Sequence, residues 1–164
     1  MQRGVTVKKV SIVLFQLGIL FITLIILLIA GFILPVVARD FAMDTPEWAY
    51  LQYPLLIAIY VTLIPFLVAI FQAFKLSRLI QVNQIFSIEA VGNLKIIKVS
   101  GFIIAFLYLS GTFVLSNLVE LSPGIAMLGV IILLSSFMIA LIARILEELL
   151  KKALEIKEEN DLTV

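Results

Sequence analysis

Four long apolar runs separated by short polar stretches organise the chain: about Val10 to Ala38, Leu51 to Phe74, Ile96 to Val119, and Ile125 to Ala143. A helix rises about 1.5 Å per residue, so a hydrocarbon core of about 30 Å takes roughly 20 apolar residues, and each run is long enough to cross one. Their interiors carry no Asp, Glu, Lys, Arg or His, Lys98 being counted with the connection that precedes the third. The pattern predicts an all-α, integral-membrane four-helix bundle, a single polytopic domain over residues 1–164. The first run outlasts the bilayer, which predicts a tilt, or a bend where Pro35 removes a backbone donor. Lys8 and Lys9 before it and Val36-Val37-Ala38 after it have the flavour of a signal peptide. Signal cores hold only about 7 to 15 residues, so the run is read as a retained anchor.

Helical patterning continues beyond the spans. Ser87 suits an N-cap, Glu89 in the first turn complements the helix dipole, and Phe86 with Val91 has the spacing of a hydrophobic staple. The third span therefore begins near Ser87, as a well-capped membrane helix rather than a docking ledge. After Arg144 the spacing Ile142, Leu146, Leu149, Ala153, Ile156 keeps one face of the fourth helix apolar through a tail covering 144–164. Glu147 with Lys151 and Glu148 with Lys152 are favourably oriented i,i+4 pairs. That stripe needs a cover. Folding on the protein's own 75–95 loop or on lipid is the plainest, and a second copy or another protein's helix stays open.

Composition agrees with the pattern. Of 164 residues 63% are hydrophobic and 14% charged, and mean hydropathy is +1.21, against roughly a quarter charged in soluble domains. The 12 basic and 11 acidic residues nearly cancel, so no global field points to nucleic acid, and no direct nucleic-acid binding is expected. With no Cys and no His, disulfides, thiol nucleophiles, imidazole metal sites and the usual neutral-pH proton shuttle are excluded. Ser110, Ser116, Ser135 and Ser136 have no His or Lys beside them inside the membrane to act as a base. The chain is read as non-enzymatic, without cofactor or metal.

Charge acts by position instead. Arg3, Lys8 and Lys9, then Lys75, Arg78, Lys95 and Lys98, then Arg144, Lys151, Lys152 and Lys157 fall on one side of the spans, and Arg39 alone on the other. Cytoplasmic segments carry the positive excess, which predicts N-in, C-in topology in a bacterial cytoplasmic membrane, with loop 75–95 and the tail as a cytoplasmic helical extension of the fourth span. The external connections are Arg39 to Tyr50 and Glu120 to Pro123, and Trp48, Tyr50 and Tyr53 suit the interfacial belt. Asp40, Asp44, Glu47 and Glu120 gather there and are read as solvated charge rather than oxygen ligands of a hard cation.

Within the spans, small residues four apart mark candidate seams: Ala58 with Thr62, Ala69 with Ala73, Gly101 with Ala105, and Ser136 with Ala140. A homo-oligomer face is the alternative use of such pairs. Pro54 and Pro65 are candidate kinks in the second span. No internal repeat suggests a duplicated transporter.

The stretch Phe86-Ser87-Ile88-Glu89-Ala90-Val91-Gly92-Asn93-Leu94-Lys95-Ile96-Ile97 and the ending Glu158-Glu159-Asn160-Asp161-Leu162-Thr163-Val164 resemble motifs of the YoaS-like family of small bacterial four-span membrane proteins of unknown function. Ala90 stands where that family more often has asparagine. The resemblance implies a partner, because such proteins are often encoded beside a small Cro-like helix-turn-helix regulator. Candidate partner-binding residues are then Phe86, Ser87, Glu89, Val91 and Leu94 in the loop, and Leu146, Leu149, Ile156, Asn160, Asp161 and Leu162 in the tail. A sensory or scaffolding protein holding a soluble regulator is one expectation. Membrane immunity or small-solute transport through the helices is the other, and the missing buried charges and repeats weigh against it.

Overall fold

The computed structural model describes residues 2–118 and 123–162, with side chains over 10–118 and 123–160. Helix α1 (Gln2–Leu28) passes through a π-turn (Ile29–Ile33) into α2 (Leu34–Asp44). A 3-10 turn (Pro46–Leu51) leads into α3 (Gln52–Gln81), followed by α4 (Ile88–Leu118) and α5 (Pro123–Leu162). No strand occurs among the described residues. Four helical stretches, Val10–Asp44, Pro46–Gln81, Ile88–Leu118 and Pro123–Asn160, are long and apolar enough to cross a membrane. The protein is a multi-pass membrane protein in its architecture, with most of its Leu, Ile, Val and Phe side chains turned outward, as lipid permits and water does not.

The helices pack as an open row. Consecutive neighbours touch: α1 and α2 on α3, α3 on α4, and α4 most extensively on α5. Among the described residues no extended contact joins α1 to α5. The α4–α5 seam is the one the small residues predict, with Gly101, Ala105, Ser136 and Ala140 all buried, and Phe102 meeting Phe137 edge-on at 5.8 Å. The other two small pairs do not build such a seam: Ala58 is exposed, and Thr62, Ala69 and Ala73 are half-buried.

Just before Pro35 the helix carries a π-turn, whose hydrogen bonding is completed locally. In the π-turn the Leu34 N–H reaches back five residues to the Ile29 carbonyl. Pro35 has no N–H, so the Ala30 carbonyl loses its donor on both counts. The Tyr60 hydroxyl of α3 donates to that carbonyl at 2.9 Å, and Ala30 is buried beneath it. Replacing Tyr60 with Phe strands a buried acceptor, at an expected cost of about 1–3 kcal/mol. The measurement is the midpoint of thermal unfolding in detergent, where an unchanged midpoint would show that the carbonyl finds another donor. Pro65 lies within α3, which continues through it unbroken.

The polar connections are shorter than the apolar runs imply. Helix α3 continues past Phe74 to Gln81, because Leu76 and Leu79 keep its inner face apolar and pack onto α4. It ends where Asn83 adopts a left-handed φ of 57°. The Gln84 N–H then bonds to the Leu79 carbonyl and the Asn83 N–H to that of Ile80, the paired closure of a Schellman C-terminus with asparagine in the place glycine usually takes. Residues 82–87, not 75–95, form the connection. Ser87 caps α4 as expected, its Oγ accepting from the Ala90 N–H at 3.2 Å. The staple is not formed by Phe86, which is 56% exposed. Ile85, one residue earlier, packs on the same apolar cluster as Val91. At the opposite end, much of the stretch 39–50 is helical, and Trp48 leans on Tyr50 with ring centroids 6.5 Å apart. The connection at 120–123 falls mainly outside the described residues.

Candidate functional site

The polar chemistry of the protein collects at the end shared by the start of α1, the 82–87 connection and the tail of α5, here called the basic end. On α5 the residues Ala140, Ala143, Glu147 and Leu150 recur at three and four positions and are all buried. That face lies on α4, where Leu94, Ala90 and Leu150 form one apolar cluster with Leu79 of α3. Glu147 is therefore a carboxylate on the packed face, its side chain only 4% exposed. Lys98 of α4 donates to its Oε2 and Lys151 to its Oε1, both at 2.7 Å. Burial pushes the Glu147 carboxyl upward, but hydrogen bonds from Lys151 and Lys98 and the charges of both outweigh it and hold the group below the usual carboxylate range. The uncharged run of α5 ends at Ala143, one turn before Glu147.

A second polar contact pins α1. Gln16 donates through Nε2 to Ser77 Oγ at 2.7 Å, and Gln81 Nε2 reaches Gln16 Oε1 at 3.3 Å. Ser77 is 1% exposed and its own O–H donates a hydrogen bond to the Phe74 carbonyl. Gln72 Oε1 and Asn93 Nδ2 are buried on α3 and α4 without a hydrogen-bond partner among the described residues.

The tail presents a different face outward. Helix α5 continues unbroken to Leu162, as its periodicity predicts. The predicted stripe is not covered by the protein's own loop. Ile142, Leu146, Leu149 and Ile156 are 52%, 47%, 59% and 67% exposed, because the neighbouring face with Ala143, Glu147 and Leu150 is the one that α4 takes. Of the two expected i,i+4 pairs, Glu147–Lys151 forms, whereas Glu148 pairs with Arg144 at 3.3 Å. Lys152 is thereby left without an ion pair among the described residues.

The candidate partner-binding residues divide accordingly. Leu146, Leu149 and Ile156 share one exposed face of α5, and Phe86 and Glu89 are exposed at the start of α4. Leu94 is buried in the cluster with Leu150, and the half-buried Val91 packs on the same cluster, so both contribute to the packing of α4. Ser87 is occupied as the cap. Asn160 lies near the exposed tip of α5, and the side chains of Asp161 and Leu162, with all of Thr163 and Val164, lie outside the described residues. Glu120 lies outside them too. Among the described residues no three acidic side chains converge on a metal position.

Pattern reading missed the Lys98–Glu147 bridge, although a signal existed: a glutamate replaces an apolar residue in the three-four spacing of Ala140, Ala143 and Leu150. The motif resemblance is matched over almost the whole chain. The chain is 39% identical over 159 residues to the uncharacterized membrane protein YoaS of Bacillus subtilis (strain 168), covering 96% of this chain and 99% of that protein. No solved structure matches. Residues 36–164 match the model of a family described as a protein of unknown function (DUF2975), so the chain belongs to the DUF2975 family.

Proposed function

We propose that the protein is a non-enzymatic membrane platform whose basic end faces the cytoplasm and holds a soluble helix-turn-helix regulator. The observation that carries this reading is the second apolar face of α5. A helix of 40 residues is about 60 Å long, twice the hydrocarbon thickness. Its portion beyond Ala143 carries Leu149 and Ile156 outward into an aqueous layer, where exposed apolar side chains on a firmly held helix suit a helix-in-groove or helix-on-helix partner. The Glu147 node fixes that portion to α4, so the platform is presented in one orientation. The lysine and arginine bias of this end supports its cytoplasmic placement.

Co-purification from native bacterial membranes in mild detergent tests the reading, comparing wild type with Leu149→Lys/Ile156→Lys. Both positions are exposed, so the variant is expected to fold normally. A helix-turn-helix protein is expected with wild type and not with the variant. Its equal recovery from both would remove this surface from consideration. Recovery of no soluble partner from either would favour action through the helices themselves, as immunity or small-solute transport.

A further inference from the structure

We infer that the second apolar face of α5 selects a partner helix whose flanks are acidic, and that it rejects a second copy of this chain. The inference rests on the docking reading above and gives it a recognition chemistry. At 3.6 residues per turn, Leu146, Leu149, Ala153 and Ile156 occupy the a and d positions of a short heptad pattern. The positions that border such a seam are e and g. On this helix they include Leu150, which α4 covers, the exposed Lys152 and Lys157, and the exposed Glu159 nearer the helix end, which leaves the two lysines in excess along the seam.

Those two lysines carry the argument. Glu148, which the pattern offers to Lys152, is engaged by Arg144 instead. No ion pair engages Lys152 or Lys157 among the described residues, and neither is buried. A seam edged by two exposed ammonium groups gains from carboxylates opposite them and loses from further cations. Copies of one membrane protein share one orientation, so two α5 tails in the same membrane meet in parallel. In a parallel pair each g position faces the e position five residues on in the other chain. That sets Lys152 of one copy against Lys157 of the other, at both edges of the seam. Charge thus disfavours self-pairing and favours an amphipathic helix with glutamate or aspartate at its own e and g positions.

The test uses the full chain in nanodiscs of zwitterionic phosphatidylcholine and two fluorescent three-heptad peptides. Both have leucine at a and d, and they differ only in carrying glutamate or lysine at every e and g. The acidic peptide is expected to bind about tenfold more tightly by anisotropy, with the preference shrinking at high salt. Lys152→Glu/Lys157→Glu is expected to reverse the preference, and Leu149→Lys/Ile156→Lys to abolish binding of both. All four positions are exposed, and circular dichroism checks that each variant keeps its helix content. Equal binding of the two peptides, or of neither, would overturn the inference. So would efficient disulfide formation between copies of Ile156→Cys in membranes, a clean readout because the chain has no other cysteine. If the helix-turn-helix protein co-purifies with wild type yet the peptides show no charge preference, the inference falls and the docking reading stands. If the acidic peptide is selected and no such protein is captured, the inference stands and that occupant falls.

Discussion

Replacing Glu147 with alanine is expected to cost about 3 kcal/mol and to loosen the basic ends of α4 and α5. The carboxylate is almost wholly buried and is the shared acceptor of two lysines at 2.7 Å. Removing one partner of a buried ion pair costs about 3–5 kcal/mol, because the remaining charge stays desolvated without compensation. The lower end of that range applies here, since the Lys98 side chain keeps 22% exposure and recovers some hydration. Lys98→Ala is expected to be nearly as damaging, as it leaves the buried carboxylate with only the helical neighbour Lys151. Lys151→Ala is expected to cost under about 1 kcal/mol, because its side chain is 51% exposed and exposed i,i+4 pairs contribute only tenths of a kcal/mol. The double replacement Lys98→Met/Glu147→Leu removes both charges and keeps the volume, so it is expected to return stability to near wild type or above it. Thermal unfolding in detergent of the four variants decides the matter. If the double variant were as unstable as Glu147→Ala, packing rather than charge would be the cause. If Lys151→Ala matched Lys98→Ala, the bridge between helices would hold no special place.

The same bridge shows where pattern reading stops. The four spans were legible because twenty apolar residues without a charge have one physical use, and α5 was legible past Ala143 because its periodicity never breaks. Ser87 was legible as a cap, since a hydroxyl before a helical run satisfies a free N–H whatever surrounds it. The choice between two faces of α5 was not. One face reads as a continuous stripe through Leu146, Leu149 and Ile156, and the other is interrupted by Glu147. Hydrophobicity alone prefers the first. Close approach to α4 prefers the second, because Ala140 and Ala143 let the helices draw together and Lys98 arrives to satisfy the carboxylate. That partner is 49 residues away in the chain, beyond any local spacing rule, whereas Lys151 lies at the familiar fourth position. Asn83 was passed over for a related reason: a left-handed helix stop is common at glycine and rarer at asparagine, so the run after Phe74 reads as a loop when it is two more turns of helix.

Gly101 is where the seam between α4 and α5 is least able to give, and replacing it with leucine is expected to separate the helices. A Cβ at this position would stand 2.9 Å from the Ala140 Cβ and 3.0 Å from the Ser136 carbonyl oxygen. One neighbour is fixed to the backbone and the other is backbone, so neither can rotate away. Alanine here sets two effects against each other. Leaving glycine gains about 1 kcal/mol of helix propensity, while overpacking costs about 1–3 kcal/mol, and a net loss of about 1 kcal/mol is expected. Leucine adds three further carbons to the same gap for little more propensity, so a loss above about 3 kcal/mol follows. The matched control lies ten residues along the same helix. A Cβ at Gly111 would meet nothing within 4 Å, so Gly111→Ala keeps the propensity gain without the clash and is expected to stabilise. Unfolding midpoints in detergent that fall in the order Gly111→Ala, wild type, Gly101→Ala, Gly101→Leu would assign the effect to the seam. Equal midpoints for the two alanine variants would mean that α4 and α5 do not approach this closely in the membrane. The buried Glu147 would then lose the close packing that makes its bridge to Lys98 matter.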